Sequence, residues 1–407
     1  MNRRVAFALS AVVLAGVTWA LAQQLEDTFY IPLDDPAIQY GGRPADDPVA
    51  RLQRRLETGQ AKLAVSSNEW GYLPSVLKLL DVNPDSQALV FSKTSTQVEH
   101  IGPRTPRALY FNDDVMVGFV RNSDVLELAS LDPKQGVQFY VLVTAADPAF
   151  APSQGCLRCH QGAVTLGVPG LVVSSVHPVS QTRSEHGNAF MTDHRTPISG
   201  RWGGWYVTGT TGSQTHLGNN TNLVDPVRSG GPSTQPTQNL TSLAAMVDTS
   251  KYLEPTSDIV ALMTLEHQVR MTNLMVRIGW DARMGMAEDK LNPEIEEMLK
   301  YMLFADEEPL KAPVKGISAF TETFPQRGPR DPQGRSLRDF DLKTRLFRYP
   351  LSYMIYSAAF DGMPDKVRER VYRRLYERLS SDSSETGRAI LEIVRATKKN
   401  LPDYWRL

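Results

Sequence analysis

Cysteine is almost missing from this chain: its 407 residues include two, Cys156 and Cys159. That scarcity excludes a disulfide framework as the source of stability. A four-ligand zinc site is excluded as well, because there is no second C-x-x-C and no pair of histidines at H-x3-5-H spacing. Charge of one sign is also lacking, with 44 Lys and Arg against 45 Asp and Glu, so the chain carries no electrostatic footprint for nucleic acid. Beyond the amino terminus no long apolar run occurs, and no membrane span is expected there. No repeat of solenoid period is visible.

Both cysteines lie in one five-residue motif, Cys156-Leu157-Arg158-Cys159-His160. C-x-x-C-H is the spacing of a c-type haem attachment site. Two intervening residues let each thiol reach one vinyl group of a single covalent haem c, and the adjacent histidine falls beneath the iron as its proximal ligand. A redox dithiol is the alternative. It would open a helix after a strand in a βαβ unit, whereas here a loop-like stretch, Ala149 to Ser153, precedes the pair.

The amino terminus agrees with haem attachment outside the cytoplasm. Asn2-Arg3-Arg4 is a positive n-region, Val5 to Leu21 an apolar h-region and Ala20-Leu21-Ala22 an A-x-A cleavage site. Residues 1–22 therefore read as a signal peptide, with the mature chain starting at Gln23 in the periplasm or otherwise exported. An uncleaved anchor is the alternative reading, but the apolar stretch is at the lower limit for spanning a bilayer and the A-x-A site argues for processing.

The pattern predicts an α+β protein. A strand-rich, haem-bearing module over 23–208 has candidate strands at Ala88–Phe91, Ala108–Phe111, Val115–Val120, Val125–Leu128, Val137–Val143 and Gly203–Thr208. Residues 209–250, rich in Gly, Ser, Thr, Asn and Pro, read as a loop or linker, and 251–407 as a helical region. There Thr256 or Ser257 caps a predicted helix running to about Met284, and Met263, His267, Met271, Leu274 and Ile278 form one apolar stripe on it. Asn292-Pro293 opens a second helix through Phe304, and Pro350, Pro364 and Glu385 open three more.

The sixth position on the iron decides between electron transfer and gas or peroxide chemistry. His267, on the apolar stripe, is the first distal candidate, set against the alternative of a core histidine bonded to another partner. His194 and His216 are the alternatives; His177, followed by proline, is too constrained to cross the ring. The 13 methionines compete without one standing out. Arg195, Arg201 and Trp202 are candidates for contacts to the haem propionates, with ordinary sheet-face packing the alternative for Trp202. The basic run from Arg327 to Arg348 is either a docking face for an acidic partner or a solvated surface.

The haem motif in an exported chain is similar to c-type cytochromes. Thr192-Asp193-His194-Arg195-Thr196-Pro197, Arg201-Trp202-Gly203-Gly204-Trp205-Tyr206-Val207-Thr208-Gly209 and Arg348-Tyr349-Pro350-Leu351-Ser352-Tyr353-Met354-Ile355-Tyr356-Ser357 resemble stretches of large bacterial exported proteins with a single such motif. The resemblance implies haem binding and electron transfer to a partner protein, and brings no substrate with it. A haem enzyme of peroxidase or oxygen-activating type, with His194 or Arg195 as distal acid/base or charge stabiliser, and a haem redox or gas sensor are the alternatives.

Overall fold

The structure, a computed structural model, describes residues 31–93, 95–143, 148–176, 189–221 and 238–405. The expected signal peptide and His177 lie outside the described residues. The fold is α+β. Six strands form one antiparallel sheet in sequential order: β1 (Ala88–Val90), β2 (Arg107–Phe111), β3 (Val115–Phe119), β4 (Val125–Asp132), β5 (Gly136–Val143) and β6 (Phe150–Pro152). Alternation of side chains gives the sheet two apolar faces.

One face, with Leu89, Ala108, Tyr110, Val117, Leu128 and Leu142, packs against α1 (Pro48–Glu57) and α2 (Leu73–Leu79). Asp47 caps α1 and also receives the Tyr140 hydroxyl at 2.5 Å, which pins that helix to the sheet. The opposite face, with Ala88, Val90, Phe111, Leu131, Val137 and Phe139, belongs to a core shared with the carboxyl-terminal helices. α3 (Leu157–His160) is a single turn after β6, and β7 (Ser174–Val176) pairs with β8 (Ala189–Met191) in a separate ribbon.

The shared core is built on α4 (Ile259–Arg283), followed by α5 (Glu288–Met302), α6 (Phe320–Gln326), α7 (Ala358–Gly362), α8 (Asp365–Ser381) and α9 (Glu385–Thr397). α4 is buried on nearly every side and not along one stripe, so its polar side chains find partners inside. Gln268 donates to the Asn112 carbonyl, and Asn273 spans both backbone groups of Leu171. No helix among the described residues is long and apolar enough to cross a membrane.

Several boundaries differ from expectation, first of all at Ala149 to Ser153, expected as a loop before the cysteines, where β6 forms instead. Gly203–Thr208 is not a strand: Trp202 and Gly204 have φ of 67° and 87°, and what remains is two isolated bridges, Val90 to Trp205 and Thr208 to Asp258. Asp258, not Thr256 or Ser257, caps α4. α5 starts at Glu288 with Pro293 inside it, favoured by Glu288 and Asp289 in its first turn. Within the expected linker, Leu243 and Val247 are buried against the first face's core, and Thr210 bridges Lys315.

Candidate functional site

α3 places the C-x-x-C-H motif at the edge of the sheet. Both thiols are free, Cys156 half-buried and Cys159 exposed. Cys156 Sγ lies 3.4 Å from Ser153 Oγ, and burial pushes its thiol pKa up. The His160 ring packs on Phe139 of β5, with centroids 4.8 Å apart. Its Nδ1 is 2.9 Å from the Gly170 carbonyl oxygen. A carbonyl only accepts, so Nδ1 carries the proton and Nε2 keeps its lone pair. Burial holds the ring's pKa below its ordinary value, and a neutral imidazole is the form a metal requires.

α4 holds that carbonyl in place. Asn273 Oδ1 accepts from Leu171 N and its Nδ2 donates to Leu171 O, both at 2.8 Å. Arg277 donates to the Leu166 carbonyl at 2.8 Å. Gly170 is required for the close approach, since a Cβ there would stand 2.5 Å from Asn273 Oδ1. Half-buried apolar side chains, among them Leu109, Met116, Ala129, Leu157, Leu166 and Met191, pack on the same core as Cys156. Free thiols and an oriented histidine are the donor set that a covalent haem needs, and Leu157 and the Phe139 ring supply apolar lining.

The other candidate residues gather elsewhere. His267 is fully buried on α4, with Nδ1 2.9 Å from His194 Nδ1 and Nε2 2.7 Å from Ser352 Oγ. Its ring stacks on Phe304 at 4.4 Å and lies parallel to Tyr301 at 5.3 Å. Both ring nitrogens of His267 are thus engaged within the core. His194 Nε2 and His216 Nδ1 are buried without a partner among the described residues.

Arg201 is spent on Glu266 at 3.2 Å, on the His194 carbonyl at 2.9 Å and on the Thr196 carbonyl at 2.6 Å. Arg195 pairs with Asp193 and Glu297 and covers the Tyr301 ring. Trp202 is buried, edge-on to His216 at 5.4 Å. None of these three has Cys156, Cys159 or His160 among its hydrogen-bond, ion-pair or ring partners in the described residues. In the basic run, Arg327, Arg330, Arg335 and Arg338 are paired with Asp81, Asp339, Asp331 and Asp113.

The charges that do reach the motif are Arg107 and Glu127, 3.2 Å apart, whose fields act on both Cys156 and His160. Sequence reasoning missed them. Each is one charged residue in a strand, 20 positions apart in numbering, and only the β2–β3–β4 register brings them together. Comparison of the chain with protein-family models, with curated proteins and with solved structures finds no match.

Proposed function

We propose that the chain is an exported cytochrome that carries one haem c on Cys156 and Cys159, with His160 as proximal iron ligand, and passes electrons to a partner protein. The observation that carries this reading is the tautomer of His160: Nδ1 is anchored on the Gly170 carbonyl, which leaves Nε2 free beside two unpaired thiols. When bound, the haem supplies a one-electron ferric/ferrous couple. The protein's own part is to bind and orient it. Cys156 and Cys159 fix its edge, the Gly170 carbonyl aims the imidazole and raises its basicity, and the sheet face with Phe139 and Met116 supplies apolar contact.

The test is expression with the native leader in a bacterium equipped for covalent haem attachment, followed by haem staining after denaturing electrophoresis. Stain in the wild type and its loss in a Cys156→Ala, Cys159→Ala double variant are expected. Stain retained in the double variant, or absent from the wild type, overturns the assignment. Electron transfer further calls for a low-spin ferric spectrum and a ferrous form indifferent to carbon monoxide. Rapid carbon monoxide binding would reveal an open iron and replace the carrier with a catalyst or sensor.

A further inference from the structure

Arg107 and Glu127 are built into the sheet in a way that surface charges are not. The Arg107 side chain turns across β3 and lies over Gly118, where a Cβ would come within 2.9 Å of Nε and 3.0 Å of Nη2. Gly118 pairs with Glu127 on β4, and the guanidinium ends there in an ion pair with side chains only 19% and 14% exposed. Ser95 and Thr96 donate their hydroxyls to Glu127, each at 2.9 Å. Burial alone would push the Glu127 carboxyl up, but Arg107 and these donors hold it below its ordinary range, so it stays charged.

One donor of this assembly is unused: Arg107 Nε is buried and has no partner among the described residues. A buried guanidinium N–H without an acceptor is costly, and a water or an anionic group outside the protein chain would relieve it. The assembly also sits beside the haem motif. Glu127 is opposite Val141 of β5, which makes it the diagonal neighbour of Phe139, the residue on which His160 packs.

We propose that Arg107 and Glu127 are the charge pair that sets the reduction potential of the haem, with Arg107 Nε–H as the donor to a haem propionate. The inference rests on the cytochrome reading above. Ferrous haem carries one positive charge fewer than ferric haem. A nearby cation therefore favours the reduced state and raises the potential, and a nearby anion lowers it. Partial burial preserves both effects, because the field passes through a medium less polarisable than water. Neither residue ligates the iron; both act on it through space.

The test is a mediated redox titration of haem-loaded protein at pH 7 and constant salt. Arg107→Gln should lower the midpoint potential and Glu127→Gln should raise it, with the double variant returning toward wild type. Opposite signs from two neutralising substitutions are the signature, since structural loosening would not reverse direction with the charge removed. Arg373→Gln, in an exposed ion pair with Glu369 on α8, should leave the potential unchanged. Should Arg107→Gln fail to mature, Glu127→Gln and Arg107→Lys carry the test, the first raising the potential and the second keeping it near wild type. Haem retained with unshifted potentials, or shifts of one sign, overturns this inference alone. A wild type without covalent haem defeats it together with the cytochrome reading.

Discussion

His160 and His267 are both held neutral by burial, with the His267 ring pushed down to about 3, yet their hydrogen bonds give them different tasks. His160 uses one nitrogen on a carbonyl and keeps the other. His267 spends both, joining His194 to Ser352 through the middle of an aromatic stack. Replacing His267 with alanine should open a cavity and strand both partners, costing about 2–4 kcal/mol in urea denaturation. The low-spin spectrum expected of the proposed cytochrome should survive the change. A switch to high spin in His267→Ala would make it the sixth ligand and refute its role as a core residue. The histidine on an apolar stripe is visible in sequence. Its partners are not, because His194 is 73 and Ser352 85 residues away. Arg107 and Glu127 escaped notice for the same reason: their meaning lies in strand register, not in local spacing.

At the scale of elements, α4 is the part on which the site depends, and its start is fixed by one side chain. Asp258 Oδ1 accepts from Val260 N and Ala261 N, and Oδ2 from Ile317 N and Ser318 N, so the same carboxylate caps the helix and ties the 316–318 segment to it. Asp258→Ala removes the cap and leaves two further N–H groups short of an acceptor. The expected loss is about 3 kcal/mol in chemical denaturation, part of it recovered by Asp258→Asn. A change within about 0.5 kcal/mol would mean that water replaces the carboxylate and that the cap contributes nothing. The five principal strands and the long helices were legible because β-branched, aromatic and 3.6-periodic patterns report local conformation directly. The Gly203–Thr208 expectation failed because Trp202 at φ 67° breaks the extended backbone that its sequence suggests. Burial of α4 on all sides was hidden by its polar residues, which read as a solvent face until their partners are known.

For the whole molecule, two sets of buried titratable groups oppose each other. Burial pushes His216 down to about 4 and His267 to about 3, and burial with the neighbouring His267 and Arg201 takes His194 well below its ordinary value. Each imidazole is neutral when folded and charges at about 6.5 when unfolded, so its contribution is complete above 6.5 and is lost as pH falls toward 4 and 3. Burial lifts Asp114 to about 6 and Glu266 to about 7, the latter against the pull of Arg201; burial and the Asp281 charge lift Glu294 to about 7. These carboxyls act in the other sense. Their contribution is complete below their unfolded values of 3.8 and 4.5, and it is lost as pH rises through 6 to 7. From about 6.5 to 4.5 these losses, with that of His160, and these gains, with those of Glu254 and Glu307, run in opposite directions, so stability should be nearly flat. Below about 4.5 the Glu residues are protonated in both states and cease to compensate, while each histidine still removes up to about 1.4 kcal/mol per pH unit. Urea midpoints should therefore be similar at pH 6.5 and 5, then fall steeply toward pH 3.5, with His216→Gln softening the acid limb. A steady decline beginning at pH 6.5 would show that the raised carboxyls do not counterbalance the histidines.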